Sequence, residues 1–379
     1  MTSEKIIHNL DSYEVDSVRG FLPKEDPLEL LPNAFDSWEH TAAEISILLM
    51  SDQLRSTLEK LSLPNISHLE NERQIRRAFL LLSVFGNAYV WGGEKPATTI
   101  PRTIALPWCE IAKKLDRPPI LSYGSMAIDN WKRLDKNQPL ELDNLAVLQL
   151  FLGGLDEHWF YLTTIAIEAK GSAVIVPLIE IQKSIVTNNF ENIAQQLKII
   201  ATVLADMYAI LIRIPEKCDP YIFYHRVRPF VASWPEPGVI YEGVSETPQK
   251  FVGTSAAQSS LIQSLDAGLG IKHQEDKSQL YLHKMRFYMP PLHRNFIEAL
   301  EAGVSVREFI LIHKQTYPIL CDLYNDCIQA LDNFRKKHLQ IAACYITRHS
   351  PPQPRGTGGT DFTHFLQEVK QETAEHLIS

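Results

Sequence analysis

From Tyr317 to Tyr345 the apolar positions fall at Leu320, Tyr324, Cys327, Leu331, Phe334, Ile341 and Tyr345. Their separations of three, four or seven residues are those of one face of an α-helix. A stripe this long needs an equally long partner surface, so the chain must fold around this helix. The one interruption is position 338, where an apolar residue is expected and His338 stands, so an imidazole points into the protein. Two readings are open at this point: a core histidine hydrogen-bonded to a neighbouring carbonyl, or a neutral imidazole that ligates a metal or a haem iron from the helix. Arg335 lies one turn earlier on a nearby face, where its guanidinium could pair a carboxylate such as a haem propionate.

The same periodicity predicts helices through most of the chain. Ala42, Ile45 and Leu49 share a face over about Phe35 to Leu61, and the helical pattern resumes over Glu72 to Tyr89. Pro96 to Pro107 holds three prolines and reads as an irregular connection, followed by a short helix over Trp108 to Leu115. Trp159 to Glu168 mixes β-branched and aromatic residues as a strand would, yet Phe160, Thr164 and Ile167 recur at helical spacing and predict a helix. Asn189 offers an N-cap to a helix whose stripe is Ile193, Leu197, Ile200, Leu204, Met207 and Leu211. Asp361 to Leu377 reads as a final helix with Phe362, Phe365, Leu366 and Val369 inward. The expected fold is all-α, with an N-terminal arm of about thirty residues. A small N-terminal helical domain, residues 1–146, would roof a larger helical-bundle domain, residues 147–379.

A net charge of −8, with no basic run longer than Arg335 to Lys337, argues against a nucleic-acid or anionic-membrane partner. No stretch approaches ~20 purely apolar residues, so no transmembrane helix is expected. The polar start Met1-Thr2-Ser3-Glu4-Lys5 lacks an apolar signal core, and the cytosol is the default compartment. Five cysteines without a Cys-x-x-Cys spacing predict reduced thiols rather than a disulfide framework or a zinc site.

Two further segments carry chemistry. Tyr224 and Arg228 are four apart, and an aromatic beside a fixed cation suits a ligand with a ring and a carboxylate, or equally an arginine stacked on a surface aromatic. Pro229 should discourage helical dihedrals at Arg228 and kink the chain there. The small residues of Phe251 to Ser260 would let a backbone approach a flat ligand closely, although they suit any helix-entry loop.

Arg335-Lys336-Lys337-His338-Leu339-Gln340-Ile341, followed by Arg355-Gly356-Thr357-Gly358-Gly359-Thr360-Asp361, resembles the indoleamine 2,3-dioxygenase family. Pro118-Pro119-Ile120-Leu121-Ser122-Tyr123, Phe223-Tyr224-x-x-x-Arg228, the run from Gly253 to Ser260, Met289 to Phe296 and Val306 to Phe309 follow the family's order. The likeness runs from about Trp91 to the C-terminus and is weak before it. It implies haem b (iron protoporphyrin IX) with His338 as proximal ligand and with Arg335, Asp266, Ser255 and Ala256 beside the cofactor. It also implies a substrate pocket of Tyr123, Met126, Ala127, Phe160, Thr164, Phe223, Tyr224, Arg228, Ser255, Ala256 and Thr357. Arg228 would bind the substrate carboxylate, and Arg228, Thr357 and Phe223 would serve turnover, with the glycine-rich loop around Thr357 as a lid.

The implied reaction is cleavage of the indole C2–C3 bond of L-tryptophan, with O₂ as co-substrate, to N-formylkynurenine, the entry to the kynurenine pathway. An electron donor would keep the iron ferrous, and a monomer is expected. No catalytic carboxylate stands out in the distal segments. Thr164 for serine, Tyr224 for phenylalanine, and Thr254 and Ala257 for glycines are departures from the family pattern that leave room for a different indole in secondary metabolism. A haem sensor without turnover is the other alternative, and retention of Arg228 and Thr357 speaks against it.

Overall fold

The structure, a computed structural model, describes residues 6–274, 278–349 and 362–378. Helices α1 (Asp36–Ala43), α2 (Ile45–Met50), α3 (Leu54–Glu59), α4 (Glu72–Trp91) and α5 (Arg102–Leu115) form the first part of the chain. Then come α6 (Leu155–Gly171), α7 (Ile175–Val186), α8 (Phe190–Leu211) and a single turn, α9 (Pro220–Ile222). The remainder is α10 (Ser260–Leu269), α11 (Ser278–Arg286), α12 (Pro291–Ala302), α13 (Val306–His313), α14 (Pro318–Ala342) and α15 (Phe362–Ala374). The class is all-α. Its sheets are two short ribbons: β1 (Thr99–Ile100) beside β4 (Ile240–Tyr241) in parallel, and β2 (Trp131–Arg133) antiparallel to β3 (Leu145–Val147).

The long stripe becomes α14, which packs lengthwise on α8. Leu320, Tyr324, Cys327, Leu331, Phe334, Ile341 and Tyr345 are all buried, as are the predicted stripe residues of α8. Asn189 caps α8 as expected, its side chain accepting from the Asn192 N–H. In the same way Asn71 caps α4 and Ser259 caps α10, while Gly270, in the left-handed region at φ 72°, ends α10. Buried Glu157 accepts the backbone N–H groups of Phe151, Leu152 and Gly153, which fastens the first turn of α6 to the loop before it.

Several local expectations change. The segment Phe35 to Leu61 is three short helices rather than one, because Asp52 takes a left-handed φ of 56° and Ile47 and Met50 point to solvent. The helix expected from Trp108 starts at Arg102 and contains Pro107. Burying Ile104, Ala105, Trp108, Ile111 and Ala112 outweighs the roughly 3 kcal/mol that an internal proline costs. Arg228 keeps helical dihedrals before Pro229, at φ −55° and ψ −38°. The preceding turn, Phe223–Val227, is a π-helical turn. Leu155–Val186 is, against expectation, long and apolar enough by composition to cross a bilayer, but 72% of its most apolar window is buried inside the protein. That is the behaviour of a core helix.

Gly86 of α4 is where α5 comes closest, since a Cβ there would sit 1.9 Å from Cζ3 of the buried Trp108 ring. Gly86→Ala is expected to lower stability by about 1–3 kcal/mol despite alanine's better helix propensity. Urea denaturation, read as a lower midpoint at unchanged slope, measures it.

Candidate active site

One cavity of about 270 Å³ lies between the C-terminal half of α14, the helices α6, α10 and α15, and the loop 254–259. A water needs only about 10–15 Å³ of such space, so this is room for a sizeable ligand rather than a packing defect. Its surface is mostly apolar. Phe160, Thr164, Ile167 and Glu168 come from α6, and Phe334, Arg335, His338, Ile341 and Ala342 from α14. Phe365, Leu366 and Val369 of α15 complete one side, and Tyr123, Met126 and Phe223 another. The rings of Phe160 and Phe223 lie 4.7 Å apart, with Tyr345 edge-on to Phe223 at 5.7 Å.

His338 faces this cavity and makes no hydrogen bond to any described residue. The reading as a core histidine satisfied by a carbonyl therefore fails among the described residues. Burial, with a smaller push from the positive Arg335, lowers its pKa to about 4. The ring is neutral at pH 7, which is the form that offers a lone pair to a metal. Arg335 also reaches the wall, and the carboxylate it pairs is that of Asp266: Nη2 stands 2.7 Å from both carboxylate oxygens, and Nη1 donates to Thr373 Oγ1. Burial pushes the Asp266 carboxyl up, but Arg335 and His273 outweigh it and hold it below the usual range.

The loop before α10 is fixed by its own polar groups. Ser255 and Gln258 form a capping box, Gln258 Oε1 accepts the Tyr123 N–H at 2.9 Å, and Thr254 Oγ1 donates to the Leu121 carbonyl at 3.2 Å. A Cβ at Gly253 would meet the Val231 carbonyl oxygen at 2.4 Å, so the chain can run this close only with glycine. Thr254 and Ala257, where the family pattern has glycines, are not among the residues with positive φ, so neither position needs one.

Glu168 is a site residue that sequence reading missed, and it adds a second carboxyl group to the wall beside Asp266, which was expected there. Its Oε1 accepts from Tyr123 Oη at 2.7 Å and from Ser259 Oγ at 2.6 Å. Burial raises its pKa against those two bonds. Its position four residues after Thr164, on the face that carries Phe160, was the available signal.

Of the residues that the family pattern proposes, Tyr123, Met126, Phe160, Thr164, Phe223, Ser255, Ala256, Asp266, Arg335 and His338 come together here. Ala127 does not. It is fully buried in the turn Gly124–Ile128, and its neighbour Met126 faces the cavity instead. Tyr224 and Arg228 also lie off the described lining, because successive residues of a helical turn point about 100° apart and Phe223 takes the inward position. The Arg228 guanidinium sits over the Tyr224 ring at 5.2 Å, and burial lowers its pKa. Thr357 and its loop lie outside the described residues.

The chain matches the family model described as indoleamine 2,3-dioxygenase over residues 9–355. It belongs to the indoleamine 2,3-dioxygenase family. The match takes in the first ninety residues, where the motifs are weak. It is 36% identical to indoleamine 2,3-dioxygenase 1 of Rattus norvegicus over 98% of this chain and 96% of the relative. For indoleamine 2,3-dioxygenase 2 of Homo sapiens the identity is 34% over the same shares, and for an indoleamine 2,3-dioxygenase of Aspergillus nanangensis it is 32% over 97% and 98%. The protein is accordingly an enzyme, a haem dioxygenase of indoles. The cavity fits that group: an apolar slot, one neutral imidazole whose ring has no hydrogen-bond partner among the described residues, and a guanidinium beside it. Among the described residues no cluster of three or more His, Cys, Asp or Glu could hold a bare metal ion.

Glu168→Ala would leave two buried hydroxyls without an acceptor and is expected to cost about 2–4 kcal/mol. Glu168→Gln keeps an acceptor at the same place and should cost less than about 1 kcal/mol. Thermal and urea unfolding of the two variants side by side tests the assignment.

Proposed function

We propose that this dioxygenase binds haem b through His338 and cleaves the C2–C3 bond of the indole ring of L-tryptophan with O₂, giving N-formylkynurenine. The observation that carries the reading is the neutral imidazole of His338 on the wall of an apolar cavity, with no hydrogen-bond partner among the described residues. When bound, the haem supplies the redox and O₂ chemistry, with an external electron donor keeping its iron ferrous.

The chain's own residues then have positioning work. Phe160, Phe223 and Tyr345 offer faces and edges for a flat indole. The Thr164 hydroxyl donates to the Phe160 carbonyl at 2.9 Å, so its proton is committed and its methyl shapes the pocket. Glu168 accepts from two hydroxyls, so it fixes Tyr123 and the loop at Ser259; burial raises its pKa against those two bonds. Arg228, which follows Phe223 by little more than one turn, is the family's carboxylate clamp, and Thr357 takes the ammonium–carboxylate end by the family pattern alone.

Reduction of the purified protein under anaerobic conditions, followed by O₂ and L-tryptophan, should give a ferrous haem spectrum and then N-formylkynurenine absorbance. A haem spectrum without product would favour a sensor or another indole. His338→Ala should stay folded but lose most haem; a wild-type Soret band in that variant would sink the ligand assignment.

Arg228→Ala should retain haem and lose about 30- to 1000-fold in kcat/KM, equivalent to roughly 2–4 kcal/mol for a charge-assisted clamp. It should also discriminate less between L-tryptophan and tryptamine. An unchanged preference would remove Arg228 from the substrate site.

A further inference from the structure

The charged groups behind the cavity wall do not end at Asp266. His273, its side chain 6% exposed, lies between two carboxylates: Nε2 is 3.1 Å from Asp266 Oδ2 and Nδ1 is 2.6 Å from Glu372 Oε2. A neutral imidazole has one N–H and one lone pair, so it can donate to one carboxylate only and must turn its lone pair on the other. The imidazolium donates to both. Glu372 is held as a carboxylate from its other side, where Oε1 accepts Ser278 Oγ at 2.7 Å and the Gln274 N–H at 3.1 Å.

Arg335, Asp266, His273 and Glu372 thus alternate in sign and sum to zero, which is the condition under which four charges tolerate burial together. The ends of this chain stand on different elements. Asp266 belongs to α10 and Glu372 to α15, the helix that brings Phe365, Leu366 and Val369 to the cavity.

We propose that His273 is a positioning residue: as an imidazolium it ties α15 to Asp266, and so keeps both the Asp266–Arg335 pair and the apolar wall of α15 in place. The tie rests on the proposed reaction only for its effect on turnover, and it is tested without turnover. Among the described residues, the groups that face His273 are Asp266 from α10, Arg335 from α14, Glu372 from α15 and His376 from the turn after it. His376 in turn accepts the Lys272 N–H at 3.0 Å, and Arg307 of α13 donates to its carbonyl. Burial works against the charged ring, but Asp266 and Glu372 outweigh it and raise His273 to about 9. Because that lies above the ordinary histidine value of 6.5, the stabilisation is present in full below pH 6.5 and is lost as the pH rises through about 9.

The experiment follows the His273 Hε1 resonance from pH 6 to 10 in the protein reduced under carbon monoxide, with the signal assigned by its loss in His273→Gln. Hydrogen exchange of the α15 amides is measured at a fixed pH 7 in wild type, His273→Gln and Glu372→Gln. We expect a midpoint near 9 that falls by one unit or more in Glu372→Gln. Exchange in α15 should be at least tenfold faster in both variants while α8 keeps its protection. A wild-type midpoint at or below 6.5, or α15 exchange within twofold of wild type in the variants, overturns the proposal. Should His273→Gln fail to fold, the wild-type titration and Glu372→Gln decide it.

Discussion

The lengthwise contact of α14 with α8 is the interaction on which the rest depends. Two long stripes of aliphatic and aromatic side chains close on one another, and each fully buried side chain contributes about 1.5–3 kcal/mol. No other contact fixes the rotation of α14 about its axis so firmly. That rotation decides where His338 points, and a turn of 100° either way would carry the imidazole out of the cavity.

Electrostatics adds a second constraint. The cavity wall holds a neutral imidazole, an arginine paired with an aspartate, and a glutamate bound by two hydroxyls, each in a state set chiefly by burial and its partners. Such a wall can orient a flat ligand and keep water out, and it leaves the electron transfers to the group that the slot receives.

Much of this was legible in the residues themselves. Periodicity located α8 and α14, because each has one face in the core and repeats its apolar residues accordingly, whereas α4 is buried on every side from Arg77 to Val90. Periodicity singled out His338 because a polar group broke a stripe. What it could not see were effects of partners distant in sequence. Pro107 stays helical because of what its neighbours bury, and the strands pair residues as far apart as Ile100 and Tyr241. Glu168 carries no sequence mark of its partners, Tyr123 and Ser259, which lie 45 and 91 positions away. His273 and Glu372 are 99 positions apart, and nothing in either neighbourhood announces the other. The inward turn of Phe223 and Met126 over Tyr224 and Ala127 depends on locally widened turns, Gly124–Ile128 and Phe223–Val227, that an ideal period of 3.6 does not describe.

The pairing of α8 with α14 also has a consequence in time. Roughly a hundred residues separate Leu211 from Pro318, so a ribosome adding about 5–20 residues per second finishes the first stripe some 5–20 s before the second begins. During that interval the α8 stripe lacks the α14 surface that covers it in the finished fold. The nascent chain therefore spends seconds with an apolar stripe exposed, which is the kind of surface that chaperones and other unfinished copies bind.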